Sequence, residues 1–246
     1  MAKGVFITGT DTDAGKTLIT AALVRQIRMQ GIDAVPMKIV QTGGGYSSEG
    51  FPISNDFDVY CAASSFIKKT EDIRDMVPYS FVAPASPHLA AQMENRICEI
   101  DPICSALTRL LEKYELVIAE GVGGVNVPLS ENITTLALIQ KIALPTLLVI
   151  RNSLGCINHA LNTIDVLRSQ NITIKGAIMT ETTRSSPEDR YILQDNPHII
   201  EKLGKIKILG SIPFIPNSSR SHLFWEELDT YMKEIAKYIL QGVNDE

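Results

Sequence analysis

The chain is expected to fold as an α/β protein, a mostly parallel sheet with helices on both faces. Three observations predict it. Apolar runs of strand length alternate with amphipathic stretches of helix length from end to end, the pattern of successive strand–helix–strand units. The runs at 116–119 and 146–150 are apolar throughout, as in strands covered on both faces. A turn ending in Gly15-Lys16-Thr17 joins the first strand to the first helix, a feature of one class of parallel sheet.

The elements follow in order. Residues 5–7 form the first strand, and 16 to about 30 a helix. A second strand is predicted over 34–40, and further strands at 116–119 and 146–150. A helix over about 157–170 leads to a strand at 174–179, another strand follows at 206–212, and an amphipathic helix over 222–240 closes the fold. No repeat or linker divides the chain, so residues 1–246 are read as one domain. The Gly- and Ser-rich piece 43–50 is too short to separate domains and is read as a mobile active-site loop.

Composition narrows the function. Apolar residues make up 45% and charged residues 21% of the chain, ordinary for a soluble globular protein. A net charge of −5 gives no general attraction to nucleic acid or anionic lipid. The longest apolar run, 143–150, has the length of a buried strand and not of a membrane span. The N-terminus enters a strand without the basic and apolar regions of a secretion signal. Cys61, Cys98, Cys104 and Cys156 show no paired or zinc-ligand spacing, which fits reduced thiols in a cytoplasmic protein.

The segment Thr8-Gly9-Thr10-Asp11-Thr12-Asp13-Ala14-Gly15-Lys16-Thr17 has the makings of a phosphate cradle. Phosphate binding needs backbone N–H groups converging at a helix N-terminus, where the helix dipole favours negative charge. Gly15 lets backbone approach the phosphates, Lys16 reaches the β and γ phosphates, and the Thr17 hydroxyl suits magnesium. The usual first glycine of this motif falls at Thr10 here, with Gly9 one step earlier. The fold class is therefore of the P-loop NTPase type.

Two further segments bear on the site. Glu120 ends the strand at 116–119 and precedes a glycine-rich turn. An acid at the carboxyl end of a parallel strand lies where such sheets bind ligands, so it suits a magnesium ion. A helix cap or a surface salt bridge is the plain alternative. Lys38 stands in an otherwise apolar strand, where burial without an anionic partner is costly. An edge strand with Lys38 in solvent is equally compatible with the periodicity.

Taken together, GTDTDAGKT (9–17), KIVQTG (38–43), NDFD (55–58), APASPH (83–88), AEGVGG (119–124) and SLGCINHA (153–160) resemble the dethiobiotin synthetase family along most of the chain. The resemblance implies an ATP- and Mg2+-dependent ligase of biotin biosynthesis. It would convert 7,8-diaminononanoate, carbon dioxide (or bicarbonate) and ATP to dethiobiotin, ADP and phosphate. One amine becomes a carbamate, the γ phosphate moves to the carbamate oxygen, and the second amine attacks that anhydride to close the cyclic urea. Phosphoryl transfer is mainly positioning and neutralisation of charge, so Lys16 and Lys38 are the expected catalytic cations. The implied ATP site comprises Asp13, Ala14, Gly15, Lys16, Thr17, Leu18, Asp58, Glu120, Gly121, Val122, Gly123, Thr180 and Pro213. Thr17, Asp58 and Glu120 are the implied metal ligands, Asp58 being preferred to Asp56 because the apolar stretch after it fits the family register better. Thr42 stands where the family places a small hydroxyl residue beside the substrate amines. The resemblance further implies that the backbone of Gly155, Cys156, Ile157 and Asn158, at a helix N-terminus suited to a carboxylate, binds the substrate's distal carboxylate across a two-fold homodimer interface. The side chains of Cys156 and His159 are read as packing.

Related folds compete with this reading. Partitioning and division-site ATPases carry a second lysine where this chain has Asp11, and often a basic terminal element, whereas here the tail ends Asp245-Glu246. Amidating ligases of the cobyrinate type usually add a glutaminase domain, for which the chain leaves no room. Two departures from the family stand out. KIVQTG lacks the proline often found after the lysine, and Thr180-Glu181 replaces the Asn that reads the nucleotide base. An Asn side chain offers both a donor and an acceptor to a base edge, while Thr reaches less far. Each such bond contributes on the order of 1–3 kcal/mol. The departure therefore predicts a flattened preference among ATP, GTP, CTP and UTP in steady-state kinetics. A preference for ATP of roughly a hundredfold, the range of two such bonds, would show that the base is read elsewhere.

Overall fold

The structure is a computed structural model that describes residues 4–64, 72–216 and 221–244; Asp245 and Glu246 of the acidic tail lie outside them. The chain opens with β1 (Gly4–Gly9) and α1 (Lys16–Met29), followed by β2 (Ala34–Lys38). Short elements come next: β3 (Gln41–Thr42), β4 (Gly45–Tyr46), β5 (Pro52–Ile53), α2 (Asn55–Ser64), α3 (Ile73–Met76), β6 (Ser80–Phe81) and α4 (Pro87–Met93). Regular alternation resumes with α5 (Ile100–Lys113), β7 (Leu116–Gly124), the small strands β8 (Pro128–Ser130) and β9 (Ile133–Thr134), and α6 (Thr135–Ile142). The chain continues through β10 (Thr146–Arg151), α7 (Cys156–Ser169), β11 (Ile174–Thr180), α8 (Arg190–Gly204), β12 (Ile208–Ile212) and α9 (His222–Asn244).

Six strands form one sheet in the order β12-β11-β10-β1-β7-β2, and every pairing within it is parallel. Alternate residues of a strand point to opposite faces, and the core divides accordingly. Leu147 and Val149 of β10 face a core shared with Ile19, Leu23 and Ile27 of α1 and Leu228, Met232 and Ile235 of α9. Leu148 and Ile150 face a second core with Ala160 and Ile164 of α7 and Ile200 of α8. Both faces are covered, which is why these strands read as continuous apolar runs and not as alternating ones.

Parallel strands share a direction, so their carboxyl ends lie along one edge of the sheet. Gly9, Lys38, Glu120, Arg151, Thr180 and Ile212 stand at or near those ends. Two helices open at this edge with glycine in the left-handed region: Gly15 (φ 87°) before α1 and Gly155 (φ 92°) before α7. Neither has a side-chain cap, so the unpaired N–H groups of each first turn remain free for a ligand.

Some expectations change. β2 ends at Lys38: the Ile39 N–H makes a last bond to the Glu120 carbonyl at 3.2 Å, and the chain then leaves the sheet. The last strand begins at Ile208 and not at 206. The piece read as a mobile loop carries a small hydrogen-bonded unit. β4 pairs antiparallel with β5, the Gly44 N–H bonds to the Phe81 carbonyl at 2.8 Å, and a Cβ on Gly44 would lie 2.2 Å from the Ile53 carbonyl oxygen. Arg96 completes the unit by lying over the rings of Tyr46 and Phe81. These pairs of two-residue strands are too short to leave a periodic signal in the sequence.

Candidate active site

The site begins with Glu120. Its carboxylate lies in the interior strand β7, opposite the last residue of β2, with no solvent exposure, and a buried charge requires partners. Lys38 is its neighbour across the β2–β7 pairing and donates from Nζ to Oε1 at 2.7 Å. The Thr17 hydroxyl donates to the same oxygen at 3.0 Å. The Tyr60 hydroxyl donates to Oε2. Lys38 also bonds Asp56 Oδ2 at 2.6 Å. β2 is indeed an edge strand, yet Lys38 is 6% exposed, because α2 closes over it. Burial pushes the Lys38 pKa down, but Glu120 and Asp56 outweigh burial and hold it above the ordinary lysine value. Lys38 is a fixed cation.

The acid that α2 brings here is Asp56, which corrects the preference for Asp58. α2 starts at Asn55, and residues four apart on a helix share a face. Asp56 and Tyr60 therefore point together at Lys38 and Glu120. Asp58 lies about 200° around the helix from Asp56 and is exposed. The register depended on where a short helix begins, which the sequence did not mark.

The glycine-rich turn forms as expected. Lys16 is buried, and its Nζ donates to the carbonyls of Asp11 at 2.7 Å and Thr12 at 3.2 Å. Burial pulls its pKa down to about 8, against the opposing pull of Glu120. Gly123, in the left-handed region at φ 58°, lets the turn after β7 come close, since a Cβ there would lie 2.6 Å from Val127 and 3.7 Å from the Thr12 hydroxyl. Gly121, Val122 and Gly123 thus stand beside the cradle.

A cleft of about 440 Å³ opens over Thr12, Asp13, Gly15, Lys16 and Thr17, with Arg151 and Thr182 on its far wall. An adjoining cleft shares Gly15 and Thr182 and runs on past Leu18, Thr180 and Pro213 to Phe214 and Phe224. The two form a path from the phosphate cradle to an apolar slot of the kind a nucleobase fills. Ala14 is wholly buried and contributes backbone. Thr180 stands where the sequence placed it, but its hydroxyl donates to the Ala14 carbonyl at 2.7 Å, so it braces the cradle. Sequence reading missed Arg151, Tyr60 and Thr182. Arg151 is a cation at the carboxyl end of a buried strand, a signal of the same kind as Glu120. Tyr60 gave none beyond its spacing from Asp56.

The remaining substrate-site candidates lie on the same edge. Thr42 is half-buried on β3, which pairs with β6. Gly155 opens α7 with open space around it. Cys156 packs into the second core, while Ile157 is half-buried and Asn158 and His159 are exposed. Asn152 and Asn196 bond each other at 2.8 Å and hold this turn against α8.

The donors fit a hard cation. Thr17, Glu120 and Asp56 offer oxygen alone, and Mg2+ is ordinarily held by one or two carboxylates together with substrate phosphates and water. No cluster of three acidic, His or Cys side chains exists among the described residues, and such a site needs none.

A family model described as an AAA domain matches residues 3–222. The chain is 36% identical over 228 residues to the ATP-dependent dethiobiotin synthetase BioD of Anoxybacillus flavithermus, covering 92% of this chain and 98% of that one. It is 31% identical to the BioD of Nitrosopumilus maritimus, covering 96% and 100%. Among solved structures it resembles the septum site-determining protein MinD of Pyrococcus horikoshii complexed with Mg-ADP, with a TM-score of 0.63, 13% identity and 99% and 98% coverage. A ParA family ATPase of Chlorobium tepidum gives a TM-score of 0.59 at 15% identity over 96% and 99%. At such identities the two structures show the fold alone.

The geometry predicts different fates for the two aspartates of α2. Asp56→Asn should lower turnover by roughly two orders of magnitude, and Asp58→Asn should stay within about twofold. Steady-state kinetics on both variants check this, and the reverse ranking would restore Asp58 to the site.

Proposed function

This chain belongs to the dethiobiotin synthetase family, and we propose that the cluster around Lys38 is where its ATP-dependent ring closure takes place. The substrates in this reading are 7,8-diaminononanoate, carbon dioxide and ATP, and the reaction runs in the cytoplasm. The observation that carries it is the placement of Lys38, a buried ammonium held between Glu120 and Asp56 at the mouth of the Gly15-Lys16-Thr17 turn.

The roles follow from the contacts. Free N–H groups after Gly15 receive the phosphates, favoured by the helix dipole. Lys16 is bonded only to loop carbonyls among the described residues, so it can turn from them to the β and γ phosphates. Lys38 does not act as a base, because its carboxylate neighbours keep it protonated. It stabilises the negative charge that builds as the phosphoryl group passes to the carbamate oxygen. Thr17, Glu120 and Asp56 would hold Mg2+, which supplies further positive charge to the phosphates when bound. Thr42 lies four residues beyond Lys38 and borders the diamine. The base occupies the slot between Leu18 and Pro213.

The substrate's distal carboxylate needs a second cradle, and the start of α7 suits it. Gly155 there is open and uncapped, and the adjacent Leu154 is 84% exposed, as expected of a residue covered by another subunit. The working unit in this reading is a two-fold dimer.

Phosphate release should require diaminononanoate and bicarbonate together, since the γ phosphate needs a carbamate acceptor. An assay omitting each in turn checks it, and equal ATP hydrolysis without either would overturn the ligase reading. Lys38→Met keeps the apolar stem and removes the charge, so turnover should fall by roughly two orders of magnitude or more with the fold intact. Sedimentation of the active protein should give a dimer; a fully active monomer would remove the cross-subunit carboxylate site.

A further inference from the structure

Glu120 has two carboxylate oxygens, and they have different neighbours. Oε1 takes the hydrogen bonds of Thr17 and Lys38. Oε2 takes the hydroxyl of Tyr60. Tyr60 is wholly buried, and its ring packs edge-on to Phe57 at 6.2 Å. It shares a helical face with Asp56, and α2 is fastened to α1 where Arg25 donates to the Ala63 carbonyl at 2.8 Å. A tyrosine buried solely for its ring would gain by being phenylalanine, because a buried hydroxyl needs a partner. This hydroxyl has been given one, and it is the site's central acid.

We propose that Tyr60 is a positioning residue for the ligase reaction: its hydroxyl fixes Oε2 of Glu120, so that Oε1 alone faces Thr17, Lys38 and the incoming nucleotide with its cation. The proposal rests on the reading of Glu120 given above. At ordinary pH a phenol keeps its proton, so the hydroxyl is a donor to Oε2. Without it, a buried carboxylate oxygen is left unpaired and the group is free to rotate, bringing Oε2 into competition for Lys38. One helix then supplies both a ligand, Asp56, and the brace that orients the other, Glu120.

Tyr60→Phe removes one oxygen and retains the packing. Losing a hydrogen bond to a charged group is worth about tenfold or more in an equilibrium or rate. The KM for ATP at saturating Mg2+ should stay within about twofold, while kcat falls about tenfold. Calorimetric titration of ADP at a series of Mg2+ concentrations, which needs no turnover, should show the half-saturating Mg2+ concentration rising by about tenfold. Because Tyr60 acts through Glu120, adding Tyr60→Phe to Glu120→Gln should change kcat by less than about twofold beyond Glu120→Gln alone. Wild-type kcat and Mg2+ dependence in Tyr60→Phe, or effects that multiply in the double variant, would overturn the proposal. Wild-type turnover in Glu120→Gln would overturn the site reading beneath it, so the two failures are told apart.

Discussion

The rest of the site depends on the burial of one carboxylate. Glu120 has no solvent exposure, and an unpaired charge so placed would be strongly destabilising. Its three partners come from three elements: Lys38 from β2, Thr17 from α1 and Tyr60 from α2. Meeting the needs of one acid therefore fixes the register of the edge strand, the start of the first helix and the seat of the second. Asp56 then completes the pairing of Lys38 from the helix that carries Tyr60.

The fold supports this economically. Six parallel strands deliver their carboxyl ends to one edge, where doubly wound sheets bind ligands. Left-handed glycines open two helices there, Gly15 and Gly155, and each leaves N–H groups without side-chain caps. The chain thus presents two glycine-opened helix starts of the same construction on one edge of the sheet. Thr180 ties the sheet to the first of them by its bond to the Ala14 carbonyl. That bond also bears on base selectivity, because a hydroxyl proton committed to the cradle is not offered to a base.

Much of this was legible beforehand, for identifiable physical reasons. The inner strands β1, β7 and β10 showed as apolar runs because both faces of the sheet are covered there. The phosphate cradle was legible because its chemistry is local to ten residues. Glu120 and Lys38 were suspected because a charge in an apolar strand is conspicuous, but their mutual bond depends on which strands pair, and strand order is not written in any one segment. Asp56 was misjudged in favour of Asp58 because orientation around α2 turns on its first residue. The contacts of Gly44 and Tyr46 were not legible because they run to Phe81 and Arg96, both distant in sequence.

The two lysines show how a single buried site can hold like charges in different roles. The cluster contains two ammonium groups, on Lys16 and Lys38, and two carboxylates, on Asp56 and Glu120, so it is balanced before any nucleotide arrives. Both carboxylates bond Lys38, and its pKa is raised; neither bonds Lys16, which rests on carbonyl dipoles and is pulled down by burial to about 8. Lys38 is held by charge-assisted hydrogen bonds, each roughly twice as strong as a neutral one, whereas Lys16 rests on two carbonyls whose place a phosphate oxygen can take. In the proposed reading, a polyanion entering the cleft draws Lys16 out of its resting place and finds Lys38 already set. On that reading, mobility belongs to the cation that follows the phosphates in, and rigidity to the one that stands where charge develops.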